Sequence, residues 1–415
     1  MKKSIAARLP FHYGWAVVGA GTLTILACLG FGRFAFGMLL PSMAGPLALD
    51  YRQMGLISTA NFTGYLVSVL FSGYLAVRLG PSRLIFMALM LVGASMAMVG
   101  VSGGFYGVLV LYALTGLGSG AANIPTMGLV SAWFSRRLRG KAAGFVVIGS
   151  GFAIIIAGLM IPYVNQTFGE TGWRINWLIL ASAVLVIAVV SRMVLRDSPE
   201  ELGLGPLGHA ASPMRDSDAV PALYRIRRLY HLGALYFLFG FTYAIYVTFI
   251  VTSLVRDRGF SEAEAGRFWM LVGLLSLFSG PVFGMLSDRF GRRAGFALVF
   301  MLQSTAYLFA ALGLSKAMLY MSVCFFGLGA WSIPGIMAAT VGDCVGARRA
   351  PQAFGLVTFI FALGQISGPW VAGVLAEQVN SFTASFTLAA AISTLAVALS
   401  LMLRGSGRTW ESEAR

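Results

Sequence analysis

Residues 284–294 read GMLSDRFGRRA, and residues 73–83 read GYLAVRLGPSR, 211 positions earlier. Each stretch leaves an apolar run, turns at a glycine through basic residues, and enters a second apolar run. The offset continues outward from this pair. GLGSGAANIP begins at Gly116 and GLGAWSIP at Gly327, and Arg137 with Arg348 and Gly144 with Gly355 keep the same spacing. A register held from Gly73 through Gly144 is the mark of a duplicated half-chain rather than of a shared composition.

The residues between these landmarks define the solvent. Of 415 residues, 58% are hydrophobic and only 11% are charged. A membrane helix needs ~20 mostly apolar residues. Runs at 14–42, 53–77, 84–101, 105–131, 142–163, 173–195, 229–254, 268–288, 295–314, 317–341, 353–376 and 382–403 supply twelve. The first is overlong for a bilayer and is expected to tilt. The 51 glycines favour close helix packing in lipid rather than disorder. Residues 196–228, RDSPEELGLGPLGHAASPMRDSDAVPALYRIRR, break the pattern with charge, Pro and Gly and read as a mobile cytoplasmic linker. The expected organisation is a six-helix bundle over 1–195, the linker 196–228, a second six-helix bundle over 229–404 and a cytoplasmic tail 405–415. The basic start MKKSIAARLPFHYGW precedes an apolar run too long for a signal peptide and lacks a small-residue cleavage site, so it reads as a retained first helix.

The net charge of +15 is explained by topology. With the N-terminus in the cytoplasm, 23 of the 30 Lys and Arg fall in inner segments, six in outer loops, and Arg33 within a span. Basic residues collect on the cytoplasmic side of inserted helices. Both termini are therefore expected inside, and nucleic acid is not needed to account for the basicity. Cys28, Cys324 and Cys344 are isolated, without C-x-x-C or histidine at ligand spacing, so no disulfide framework, metal or cofactor is expected. The absence of a P-loop argues against ATP drive. No nucleophile, base and orienter converge as an enzyme would require.

Gly284, Leu286, Asp288, Arg289, Gly291, Arg292 and Arg293 resemble the loop signature that follows helix 8 in the major facilitator superfamily. Its counterpart after helix 2 keeps Gly73, Leu75, Ala76, Arg78, Gly80 and Arg83, with Val77 where the family usually has aspartate. FHYGWAVV at 11–18, WFSRRLRGKAAG at 133–144 and SPEELGL at 198–204 are similar to the monocarboxylate porter and oxalate–formate antiporter branch. GFGRFAFGMLLP and NFTGYLVSVLFSGYLA resemble bacterial facilitators. The resemblance implies an all-α membrane protein of twelve transmembrane helices in two pseudo-symmetric bundles. It implies a secondary transporter working by alternating access in a bacterial inner membrane. It also implies a cytoplasmic gate formed by Asp288, Arg289, Arg292 and Arg293 with Arg78, weaker on the N-terminal side because Val77 is not an acid.

Arg33 is the one formal charge well inside a span. It lies eight residues before Pro41, or ~12 Å along a helix. Such a charge costs roughly 2.5–3.5 kcal/mol on insertion scales and usually faces a pathway, although a long side chain can also snorkel to the headgroups. A guanidinium in a cavity offers a carboxylate a bidentate fork, and helix 1 lines the cavity in the resembled superfamily. Arg33 is therefore the expected anchor for a small organic anion, a monocarboxylate in the first instance. Asn123, Tyr243, Tyr246, Trp331 and Gln365 are candidate walls, each with an alternative as a packing or interhelical hydrogen-bonding residue. Asn61 and Tyr65 share a face of helix 2, with Asn61 leaning toward the interhelical role. No Asp or Glu lies mid-span to relay a proton, which leaves co-binding of a proton with the anion, exchange, or uniport as the modes of transport. The alternatives are an exporter of amphipathic drugs or metabolites, in which Arg33 is dispensable, and a transporter-derived sensor that binds without flux.

Overall fold

The computed structural model describes residues 10–208 and 226–403, with the side chains of 136, 137, 347, 348 and 351 outside the description. All twelve apolar runs are helices. The first half holds α1 (Gly14–Ala44), α2 (Tyr51–Leu79), α3 (Pro81–Val101), α4 (Phe105–Trp133), α5 (Arg136–Phe168) and α6 (Gly172–Val194). The second holds α7 (Arg227–Arg256), α8 (Glu262–Phe290), α9 (Arg292–Leu312), α10 (Lys316–Gly346), α11 (Gln352–Val379) and α12 (Thr383–Leu401). Among the described residues eleven stretches are long and apolar enough to span a bilayer, one of them running through both α5 and α6 across the turn Gly169–Thr171.

The repeat seen in the sequence recurs in the backbone. Gly80 (φ 84°, ψ 138°) starts α3 and Gly291 (φ 91°, ψ 154°), 211 residues on, starts α9. Both lie at positive φ, where a side chain is strained, which is why glycine stands at this place in both halves. The break between α4 and α5 falls at Ser135 with ψ 162°, and that between α10 and α11 at Gly346 with ψ 160°, again one repeat apart. The turns after α5 and α11 use Gly169 and Asn380, both at positive φ.

Contacts divide the molecule into two units. One holds the chain up to Leu49 and resumes at Ala60; the other holds Asp50–Thr59 with the second half. In the first, α3 packs on α4 and α6, and α1 on α5. The Trp177 Nε1 group donates to Met43 Sδ at 3.1 Å, giving a fully buried indole its partner. In the second, α7 packs on α11 and α9 on α12, around an aromatic core in which Tyr236 stacks on Phe361 at 4.3 Å and Tyr246 on Phe326 at 4.0 Å. Thr59 Oγ1 donates to the Ile366 carbonyl at 2.9 Å within this second unit.

Of the linker expected over 196–228, residues 196–208 and 226–228 are described. Residues up to 208 fold onto the first unit, with a short turn at Pro199–Leu202 and a bridge between Leu207 and Phe134. Leu207 N donates to the Trp133 carbonyl at 2.9 Å, and Ser135 N to the Leu207 carbonyl at 3.0 Å. Asp197 Oδ1 accepts from Ser82 N at 2.7 Å, placing a carboxylate at the N-terminus of α3 where the helix dipole favours it. The half that lacks an acid at Val77 thus receives one from the chain after α6. The Ser198 hydroxyl holds the exposed Glu200 carboxyl below its ordinary range. The remainder of the linker, to residue 225, and the tail 405–415 lie outside the described residues.

Candidate functional site

Helix α1 is not a plain α-helix. Leu26–Phe34 (LACLGFGRF) winds as a π-helix, closing at its end with the Ala35 N–H bonded to the Gly30 carbonyl. Long π segments are rare and concentrate at functional sites. Arg33 is the penultimate residue of this one. The repeat-related stretch of α7 is ordinary α-helix, so the two halves differ where the half-buried Arg33 sits.

Side chains of α2 and α4 hold the π segment. Ser119 Oγ donates to the Cys28 carbonyl at 2.7 Å, Asn61 Nδ2 to the Gly32 carbonyl at 3.4 Å, and Tyr112 Oη to the Arg33 carbonyl at 3.1 Å. Asn61 Nδ2 also reaches the Tyr112 carbonyl at 3.0 Å, the interhelical role expected for it. These donors are brought close because α2 and α4 touch through backbone. A Cβ on Gly116 would collide with the Asn61 carbonyl oxygen, so only glycine allows the approach.

The Arg33 guanidinium lies among these helices. Its carbon is 4.3 Å from the Tyr65 ring centroid and 4.8 Å from that of Phe62, two residues three apart on one face of α2. The rings stabilise the cation through their quadrupoles. Nε and Nη2 are both out of contact with the surface and have no hydrogen-bond partner. No acidic side chain pairs with Arg33 among the described residues. Nε and Nη2 are the adjacent nitrogens whose N–H bonds run parallel, the edge that meets a carboxylate side-on. Asn123 is joined to the same place, its Nδ2 donating to Tyr65 Oη at 2.7 Å.

Of the expected site residues, Arg33 and Asn123 are therefore linked through Tyr65, and Phe62 is an addition. Gly30 and Gly32 stand within the π segment, and nothing in the pattern of NFTGY marks Phe62 as a ring over a cation. The other candidates belong to the second unit. Tyr243 meets the Trp331 ring edge-on at 5.7 Å, and Gln365 is buried. Tyr246 is fully buried, with its hydroxyl 2.9 Å from Ser322 Oγ. At the turn into α9, Arg292 Nε donates to Asp343 Oδ2 at 2.9 Å while Nη1 pairs with Asp288. Arg289 lies over the Phe290 ring, Arg78 over the Tyr74 ring, and Arg293 is exposed. No cluster of residues suited to a metal occurs among the described residues.

Comparison with known proteins places this architecture. The family described as "Uncharacterised MFS-type transporter YbfB" matches residues 25–401. A probable sulfoacetate transporter, SauU, of Cupriavidus necator is 23% identical over 395 residues, 89% of each chain. Monocarboxylate transporter 2 of Homo sapiens is 22% identical over 392 residues, 89% of this chain and 81% of that one. Among solved structures, a bacterial homologue of the human lysosomal transporter Spinster, in an inward-facing and unoccupied conformation, superposes with a TM-score of 0.74 at 15% identity, covering 94% of this chain and 96% of that one.

Proposed function

Because this chain belongs to the MFS-type transporter family, we propose that it moves a small organic anion, a monocarboxylate in the first instance, across a bacterial inner membrane by alternating access. The observation that carries this reading is the Arg33 fork. Two parallel N–H groups are held in a buried place with no acceptor, and a carboxylate supplies two acceptors in one plane. No acid pairs with it among the described residues, and in this reading the acceptor is the substrate. The names of two relatives, one for sulfoacetate and one for monocarboxylates, agree in being anions.

In this reading the Phe62 and Tyr65 rings keep the cation in place while the site is empty, and the anion neutralises it on arrival. A proton accompanies the anion as co-substrate, since no mid-span carboxylate is available to relay it. Both termini are cytoplasmic, and the Asp288–Arg292–Asp343 cluster works as a gate, with Arg289, Arg293 and Arg78 beside it. The test is counterflow of labelled short carboxylates in proteoliposomes. Wild type exchanges them and Arg33→Gln does not. Exchange of cationic or neutral amphiphiles, undiminished in the variant, would establish the exporter alternative instead.

A further inference from the structure

Tyr65 links the two unpartnered donors of Arg33 to an unpartnered acceptor. Asn123 commits Nδ2 to Tyr65 Oη, while its Oδ1 is buried and has no hydrogen-bond partner. Asn61, Asn176 and Gln303 also carry a side-chain carbonyl without a donor, but those side chains are at most 1% exposed and are closed off by packing. Asn123 is half-buried. Tyr65 joins the two sets, with its ring over the guanidinium and its hydroxyl on the amide. The two needs are opposite in sign. A carboxylate satisfies Arg33 and offers nothing to Asn123, because ionised oxygens only accept.

We infer that the anion of the preceding proposal is a hydroxy acid, its carboxylate in the Arg33 fork and its hydroxyl donating to Asn123 Oδ1. This rests on the anion reading and adds a specificity-determining residue to it. Tyr65 is then a positioning residue. Its Oη accepts from Nδ2, and in that orientation Oδ1, not the NH2 group, is left for the ligand. The reversed amide would present a donor to a hydroxyl or to an acid alike and would discriminate less. A substrate lacking the hydroxyl leaves Oδ1 desolvated and unmet, which is where discrimination arises.

The experiment compares glycolate with acetate and lactate with propanoate as competitors of counterflow, in wild type, Asn123→Leu, Tyr65→Phe and Arg33→Gln. Wild type is expected to prefer each hydroxy acid by about tenfold, the worth of one buried hydrogen bond. Asn123→Leu brings that ratio near one, and Tyr65→Phe lowers it. The wild-type comparison stands even where a variant does not fold. Equal competition by hydroxy and deoxy acids, lost in Arg33→Gln, overturns the hydroxyl assignment and leaves the anion reading intact. A tenfold preference that survives Asn123→Leu overturns the role of Asn123. Competition unaffected by Arg33→Gln, or none by any of the four acids, removes the anion reading and this inference with it.

Discussion

Replacing Arg33 by methionine is expected to move ligand binding and intrinsic stability in opposite directions. In the empty protein Nε and Nη2 are buried without partners, and each such group costs about 1–3 kcal/mol. The rings of Phe62 at 4.8 Å and Tyr65 at 4.3 Å give back roughly 0.5–1 kcal/mol each. The unoccupied site is thus held at a net cost of about 0–5 kcal/mol. Methionine, similar in length and uncharged, removes that cost. The unliganded protein should then melt slightly higher, by on the order of 2 °C. A bound carboxylate reverses the account. Truncating one partner of a buried charge pair costs about 2–5 kcal/mol, so carboxylate affinity should fall at least about thirtyfold. Thermal unfolding of solubilised wild type and variant, with and without carboxylate, reads both quantities in one series. A variant that melts several degrees lower, yet is stabilised by carboxylate as wild type is, would refute the reasoning and make Arg33 a structural cation.

Other perturbations probe the surrounding structure. Gly116→Val pushes a side chain into the Asn61 carbonyl, and since backbone cannot yield, a loss of about 1–3 kcal/mol is expected; an unchanged melting curve would argue against the α2–α4 contact. Asp197→Ala uncaps the Ser82 N–H and should cost about 1 kcal/mol, as cap removals do; it would show as a lower melting temperature with transport retained. Asp288 and Asp343 are largely exposed partners of Arg292, so changing either to Asn should cost under about 1 kcal/mol. The same changes should shift which side labels single-cysteine reporters, and identical labelling from both sides would remove the gate.

The bundle was legible because its physics is written in composition and period. Twelve apolar runs in a chain of 11% charge admit few other folds, and the glycines at Gly80 and Gly291 mark turns that the backbone shows to be alike. Arg33 was legible as a cation with no reason to be in lipid. The π segment around it was not, because a five-residue hydrogen-bond spacing leaves no hydrophobic pattern, and its support comes from Ser119, Asn61 and Tyr112 on other helices. Phe62 and Tyr65 acquire their role only from the angle at which α2 meets α1. Asp197 escaped notice for a related reason. Its partner is a helix start more than a hundred residues earlier, and it stands in a stretch whose Pro, Gly and charge read as linker.

The most direct measurement is equilibrium binding of one carboxylate to wild type, Arg33→Lys and Arg33→Met under the same conditions. The account requires a fork, not merely a positive charge, because lysine is a point charge without two parallel donors. It predicts clear binding to wild type, weakening of about tenfold or more in the lysine variant, and none detectable in the methionine variant. Equal affinity across all three would contradict the claim that Arg33 holds the anion.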